Sequence, residues 1–316
     1  MGSRRVLVTG AGGFVGSHLV PLLATTDHVV ALGNDPMREA LRPHVARELA
    51  VDLRDADALR EAVREAAPDA VIHLAAQSSA ARSFQDPSGT FASNVLGSWN
   101  LLLAIRDVAP RARVVWIGTG EVYGPQEPGT RVAEDGAFHP VNPYALSKAV
   151  GDAAAAGAAS AFGLDVVRAR PFAHTGPGQT PTFVIPAWAE QIARIERGEA
   201  EPVLKVGNLE VTRDVSDVRD VVAAYDALIE RGRAGAAYNV CSGRGVSLAE
   251  IAQRLCAMAR VPVRIETDPE RVRAADIPYL VGDPSAIHGE CGWTAERPLD
   301  ATLADVLASW RSGAHA

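Results

Sequence analysis

The chain has 316 residues and a mass of 33.2 kDa, enough for one large domain or two smaller ones around a sizeable core. Hydrophobic residues make up 47% and charged residues 22%, ordinary globular values that exclude intrinsic disorder, collagen and a disulfide-stapled miniprotein. With 31 Lys+Arg against 38 Asp+Glu, the formal charge of −7 offers no field to hold a nucleic acid or an anionic membrane, so an anionic small ligand needs local positive charge.

Cys241, Cys256 and Cys291 form no CxxC and no metal-ligand spacing, and their odd number argues against a disulfide framework. The expectation is a reducing, cytoplasmic setting with no metal. The first residues lead directly into the apolar run Val6-Leu7-Val8, which lacks the longer apolar stretch and cleavage site of a signal peptide. No apolar run approaches the roughly 20 residues that span a bilayer.

In chain order, short aliphatic runs at 6–8, 29–32, 70–74, 114–117 and 166–168 recur with room for one helix between neighbours. Each is nearly continuous in apolar character, as in strands covered on both faces, so the pattern predicts a doubly wound parallel α/β sheet with right-handed crossovers. The alanine-rich stretch 145–162 reads as a thin helix. After Phe172 the texture changes to Pro/Gly punctuation (Pro171, Gly176, Pro177, Gly178, Pro181), and a helix is predicted over 247–259 with Ser247 as N-cap and Glu250 three residues on. The boundaries read as 1–172 for the sheet domain, with some later segments returning to it, and 173–316 for a smaller lobe.

The first strand runs into Thr9-Gly-Ala-Gly-Gly-Phe-Val-Gly16, with a helix expected from about Ser17. Glycines at 10, 13 and 16 suit a tight turn, a close approach of backbone N–H groups to a pyrophosphate and a close fit of helix on strand. The spacing is GxxGxxG, and a bare strand–helix turn is the alternative. Its place after a strand and before a helix makes it a dinucleotide site, with Phe14 and Val15 beside the glycines. The second strand ends at Gly33-Asn34-Asp35. Asp35 could bind a ribose 2′-hydroxyl, whereas Arg38 and Arg42 could pair with a 2′-phosphate, and all could be solvated loop. Gly33 in the position just after the strand tilts the reading to NADP over NAD. Asp52 and Leu53 are placed for the adenine edge, and Leu74, Ala75 and Ala76 would let the cofactor backbone lie close.

Tyr144 and Lys148 stand four apart, on one helix face. A nearby ammonium is expected to lower the phenol toward neutrality and ready it for proton transfer. Upstream, Gly118-Thr-Gly-Glu-Val-Tyr-Gly124 puts the Thr119 hydroxyl and the Glu121 carboxylate at a strand's C-terminal edge, where open α/β sheets carry ligands.

The glycine triplet, Asn94 in Asn-Val-Leu-Gly-Ser, the Thr-Gly-Glu-Val-Tyr-Gly run and Tyr144-x-x-x-Lys148 together resemble the extended short-chain dehydrogenase/reductases that modify nucleotide sugars. The resemblance covers essentially the whole chain. It implies a Rossmann-type fold with a smaller C-terminal substrate lobe. Thr119 and Tyr144 would bond the sugar C4 oxygen, Tyr144 would relay the proton, and Lys148 would tune it and hold the nicotinamide ribose. Asn94 and His174 join the cofactor set by the same match.

Arg170-Pro-Phe-Ala-His-Thr-Gly-Pro-Gly-Gln179, Val184, Gly207-Asn208-Leu…Arg213-Asp214 and Ile277-Pro-Tyr-Leu-Val-Gly-Asp283 are similar to GDP-4-keto-6-deoxy-mannose reductases. That similarity implies a GDP-sugar substrate met by Thr119, Gly120, Glu121, Val184, Asn208, Arg213 and Arg273. Arginine forks suit a diphosphate, although ion pairs with Asp214 or Asp276 are the plainer reading. Glu121 keeps a 4,6-dehydratase open, a 4-epimerase shares the scaffold, and a non-catalytic dinucleotide-binding regulator is the reading from another class. Ala173 departs from the usual Asn and leaves the exact sugar open. A homodimer through a four-helix bundle is expected, from small or apolar residues on the helices near 145–162 and 90–105 (Ala149, Ala153, Gly157, Leu101, Ile105).

Overall fold

The computed structural model describes residues 3–34, 37–271 and 277–313. Its first half alternates strand and helix: β1 (Arg5–Thr9), α1 (Phe14–Leu23), β2 (His28–Gly33), β3 (Arg47–Ala50), α2 (Ala56–Ala66), β4 (Ala70–His73), α3 (Ala80–Gln85), α4 (Pro87–Phe91), α5 (Ser98–Val108), β5 (Arg113–Ile117), α6 (Pro143–Phe162) and β6 (Val166–Pro171). The remainder holds β7 (Ala173–Thr175), α7 (Val184–Glu196), β8 (Val203–Val206), β9 (Thr212–Asp217), α8 (Val218–Arg231), β10 (Ala237–Val240), β11 (Gly245–Ser247), α9 (Leu248–Ala257), β12 (Arg264–Thr267), β13 (Tyr279–Leu280), α10 (Ser285–Cys291) and α11 (Leu299–Arg311).

Seven parallel strands form one sheet in the order β10-β6-β5-β4-β1-β2-β3. The order reverses between β1 and β4, so the crevice at their carboxyl ends is where such a sheet receives ligands. One face packs α1 and α8 over Val6, Val8, Ile72, Val115 and Ala169; the other packs α2, α5 and α6 over Leu7, Val71, Val114 and Trp116. Strands buried on both faces explain the continuous apolar runs. A third core, formed by α7, α9, α11, β8 and β12, lies in the second half.

Two strands escape the apolar pattern. β3 is a mostly exposed edge, Arg-Glu-Leu-Ala, whose charged residues conceal it. β10 returns from the second half to pair with β6, Tyr238 opposite Ala169.

α1 begins at Phe14 and not near Ser17, which places Gly16 inside its first turn. The helix over 247–259 forms as α9, with Ser247 accepting from the Glu250 N–H at 3.1 Å; the Glu250 carboxylate pairs with Arg254 instead of closing a reciprocal box. α4 and α5 are joined by a π-helical turn, Ala92–Gly97, that carries Asn94.

Candidate active site

The three glycines of the first loop have separate steric reasons. Gly10 has φ +70°, and a Cβ there would stand 2.8 Å from the Ala75 nitrogen. A Cβ on Gly16 would stand 2.2 Å from the Ala11 carbonyl oxygen, so only glycine lets α1 seat on the loop. Gly13 is the N-cap of α1, with no side-chain cap and no acidic residue in the first turn. The amide end of the helix dipole is therefore left for an anion. The cradle fits a dinucleotide pyrophosphate. Val15 is half-buried against the core, and the Phe14 ring stacks on His174 (6.2 Å between centroids, 7°) and meets His18 edge-on. His174 also bonds the Phe172 carbonyl through Nδ1 at 2.9 Å, and its burial holds it below the usual imidazole range.

Beside the loop, the N–H groups of Leu74 and Ala75 donate to the Thr9 carbonyl and hydroxyl, each at 3.2 Å, and Ala76 follows half-buried. Leu53 is buried, with its Cβ 3.0 Å from where a Cβ on Gly97 would stand. Gly33 has open space around it, Asn34 and Arg38 are exposed, and Asp35 lies outside the described residues. Asp52, expected at an adenine edge, has its carboxylate engaged by the Arg54 guanidinium (2.5 to 3.0 Å) and by Asn34, which holds it near pKa 2. Spacing alone cannot show that Arg54, two residues on, claims it.

A buried chain of hydrogen bonds ties this pocket to the helices. Thr9 Oγ1 lies 2.7 Å from His73 Nδ1, and His73 Nε2 lies 2.8 Å from Ser98 Oγ, which donates to the Asn94 carbonyl at 2.6 Å. Because Ser98 donates onward, His73 is the Nε2–H tautomer and accepts from Thr9. Asn94 itself grips the loop after β4: it accepts from the Gln77 N–H (2.8 Å) and donates to the Gln77 carbonyl (3.0 Å) and to Ser147 Oγ (2.9 Å). Its amide thus positions the loop and the helix bearing Tyr144.

At the carboxyl end of β5, Thr119 caps a 3₁₀ turn, Gly120–Tyr123, and its hydroxyl accepts from the Glu121 N–H at 3.2 Å and bonds the Tyr144 phenol. Gly120 is buried where a Cβ would press on the Phe172 ring at 2.8 Å. Asn142 caps α6 by accepting from the Ala145 N–H (2.7 Å), which aims its amide nitrogen at Glu121 Oε2 (3.1 Å). The Tyr144 N–H donates to Ser83 Oγ at 3.1 Å, and Ser147 Oγ donates to the Tyr144 carbonyl at 2.7 Å.

Tyr144 and Lys148 stand one turn apart on α6, yet their electrostatics run opposite to the expectation. Burial and the Glu121 carboxylate push the Tyr144 phenol above the usual tyrosine range. The Lys148 ammonium turns to the Ile117 carbonyl (2.8 Å), and burial lowers it to about 8.

In the second half, Val184 begins α7 exposed, and Asn208 is exposed in a loop, accepting from the Glu210 N–H at 3.0 Å. Arg213 on β9 donates through Nη1 to the carbonyls of Thr212 (2.9 Å) and Ile277 (2.5 Å). Asp214 is buried and accepts from the N–H groups of Ser242 and Gly243, both at 2.9 Å, and the Ser242 hydroxyl at 2.7 Å. Ala173 is exposed on β7, and Arg273 and Asp276 lie outside the described residues.

Sequence reasoning passed over Trp116, Asp152 and Ser83. Asp152 had a signal, since it continues the Tyr144 and Lys148 face by one further turn. It accepts from Arg168 (2.6 Å) and, through both oxygens, from Arg170 (2.9 and 3.0 Å). Arg170 also donates to the Tyr123 hydroxyl and the Glu134 carbonyl, each at 2.7 Å. One buried guanidinium on β6 thus fastens both α6 and the 3₁₀ turn that carries Glu121.

Comparison with known proteins places this geometry. The family profile described as GDP-mannose 4,6 dehydratase matches residues 7–306. A GDP-6-deoxy-D-mannose reductase of Pseudomonas aeruginosa is 38% identical over 311 residues, 98% of each chain. A GDP-6-deoxy-D-talose 4-dehydrogenase of Aggregatibacter actinomycetemcomitans is 28% identical over 284 residues, 90% of each. Among solved structures, RMD from Pseudomonas aeruginosa complexed with NADPH has a TM-score of 0.87 at 36% identity, covering 98% of this chain and 100% of that one. Thermus thermophilus UDP-glucose 4-epimerase in complex with NAD also reaches 0.87, at 30% identity with 97% and 98% covered. Matched along nearly its whole length, the chain belongs to the GDP-mannose 4,6 dehydratase family, within the NAD(P)-dependent short-chain dehydrogenase/reductases that modify nucleotide sugars.

Proposed function

We propose that the chain reduces the C4 ketone of a GDP-linked 4-keto-6-deoxyhexose with NAD(P)H, giving GDP-rhamnose or its C4 epimer. The observation that carries this reading is Tyr144, a buried phenol bonded to Thr119 at the carboxyl edge of the sheet, with Lys148 one turn further along the same face of α6. A protonated phenol is the form a ketone reduction consumes. When bound, the nicotinamide supplies the hydride. Gly10, Gly13, Phe14, Val15 and Gly16 would hold the pyrophosphate, Leu53 would meet the adenine edge, Leu74, Ala75 and Ala76 would let the cofactor backbone lie close, and Lys148 would hold the nicotinamide ribose, with His174 in the same set. Thr119 and Tyr144 bond the substrate's C4 oxygen, and the Tyr144 phenol gives it the proton as charge develops there. Residues 173–316 mainly hold the sugar nucleotide, with Arg213, Asn208 and Val184 toward the GDP; Arg273, expected with them, lies outside the described residues.

Glu121 would be the base that takes the C5 proton in a 4,6-dehydratase. Its Oε2 accepts from the Asn142 amide at 3.1 Å, which positions the carboxylate, and the preference for the reductase is supported by the 38% identity, over 98% of each chain, with a GDP-6-deoxy-D-mannose reductase. NADPH serves at least as well as NADH, because Asp52 is engaged by Arg54, Gly33 leaves space after β2, and Arg38 is exposed. A homodimer through a four-helix bundle is supported by Leu146 and Val150 on α6 and Leu96 before α5, which are 45%, 40% and 51% exposed. Leu101 and Ile105 drop out of that face, since both are buried against the sheet, and so does Ala149, buried in a cluster with Val122, Tyr123 and Phe172.

The test is incubation with GDP-4-keto-6-deoxy-mannose and NADPH or NADH, with product identification. Reduced cofactor is consumed in proportion to product, and Tyr144→Phe lowers turnover by roughly 10²–10⁴-fold with cofactor binding nearly intact. Dehydration of GDP-mannose with no net consumption of cofactor overturns the assignment.

A further inference from the structure

Lys148 is an ammonium almost wholly removed from water, and no carboxylate pairs with it among the described residues. Two things meet it. The Ile117 carbonyl accepts its proton at 2.8 Å, and its Nζ lies over the Trp116 ring, 5.2 Å from the centroid. That separation is within cation–π range, and the attraction is strongest for indole and for a desolvated ion.

The ring is seated by construction. A Cβ on Gly118, at the end of the same strand, would come 2.8 Å from one atom of the indole. A Cβ on Gly151, one turn of α6 after Lys148 at i+3, would come 2.7 Å from another. Two glycines on different elements therefore open the slot that holds the benzo edge under the ammonium. Trp116 is fully buried, and its Nε1 has no hydrogen-bond partner among the described residues, so the indole N–H does not set its orientation. A tryptophan in a β5 core position whose own polar atom goes unsatisfied is costly.

We propose that Trp116 is a positioning residue for the reaction: its ring is the platform that keeps the Lys148 side chain extended over the end of β5 and charged. This rests on Lys148 belonging to the machinery described above. The groups around the ammonium are few. His73 on β4 is buried and neutral, Tyr144 stands one turn earlier on α6, Glu121 is tied to Asn142, and Asp152 is taken by Arg168 and Arg170. On α5 the charged pair Arg106 and Asp107 is exposed at the far end. None of these replaces the ring as a partner. The Ile117 carbonyl would remain after a substitution, but burial opposes the charge throughout.

The experiment is a double-mutant cycle with a pH profile, using the full-length enzyme. Trp116→Leu removes the ring, and Trp116→Phe keeps a weaker one in the same slot. With Trp116→Leu, kcat falls on the order of tenfold, and the alkaline limb of kcat moves about one unit to lower pH because the ammonium is surrendered earlier. Trp116→Phe restores most of both. In a Lys148→Met background, Trp116→Leu and Trp116→Phe change kcat by less than twofold, since the group they act through is gone. Full additivity of the two substitutions, or an unmoved alkaline limb in a folded Trp116→Leu protein, overturns the proposal. If Trp116→Leu does not fold, Gly151→Ala, which drives a methyl into the same indole, gives the same shift and the same dependence on Lys148. Should Lys148→Met by itself leave turnover unchanged, the functional reading above fails and the platform with it.

Discussion

The buried His73 makes the stability of this protein depend on pH in a way that can be worked out. Its imidazole accepts from Thr9 and donates to Ser98, so a second ring proton would displace the Thr9 hydroxyl proton from Nδ1, and the Lys148 ammonium adds to the cost. Burial first and that ammonium second push it down to about 3, against 6.5 when unfolded. The unfolded chain therefore binds a proton that the native chain refuses throughout this window. Stability is full above pH 6.5 and falls as pH drops toward 3. Between pH 7 and pH 5 the loss through this one residue is about 2 kcal/mol, and it hardly changes if the folded value is a unit higher. Asn in place of His73 offers a donor and an acceptor without titrating. Urea unfolding followed by tryptophan fluorescence, at equal protein concentration and at pH 7 and 5, measures the difference. His73→Asn is expected to be less stable at pH 7 but to lose about 2 kcal/mol less than wild type on acidification. His18 and His174, also lowered by burial, contribute equally to both proteins and cancel. Equal losses in the two proteins would refute the reasoning.

Two further outcomes follow from the packing. Asp152→Asn leaves Arg170 buried without its carboxylate, so a loss of about 3–5 kcal/mol, or a Tm lower by roughly 10 °C, is expected in calorimetry; a loss below about 1 kcal/mol contradicts it. If the exposed stripe of Leu146, Val150 and Ala153 is covered by a second copy, light scattering gives twice 33.2 kDa for wild type and a monomer for Leu146→Asp.

Much of the fold was legible because its determinants are local. Strands buried on both faces write themselves as uninterrupted Val and Ile, and glycines at 10, 13 and 16 mark places where backbone meets backbone. β3 was illegible for the complementary reason: as an exposed edge it carries Arg47 and Glu48 and owes nothing to an apolar period. At the site, spacing put Tyr144 and Lys148 on one face but could not show where the ammonium points. That depends on the indole and carbonyl of neighbouring β5 residues, and on Gly151 leaving room for the ring. Likewise, Leu101 and Ile105 are apolar whether they face a partner or the sheet, and only packing tells which.

The place of β10 in the sheet bears on how the protein is made. Residues 168–171 of β6 find their outer partner only in residues 237–240, so that edge stays open while the intervening chain is synthesised. At about 5–20 residues per second, the exposure lasts roughly 4–14 s, long enough for an unpaired strand edge to find another chain. α8, which covers β5 and β6, is also made in this interval. A nascent chain halted between β6 and β10 thus presents a half-clothed sheet, and ribosomal pausing there is where holding by a chaperone would matter most.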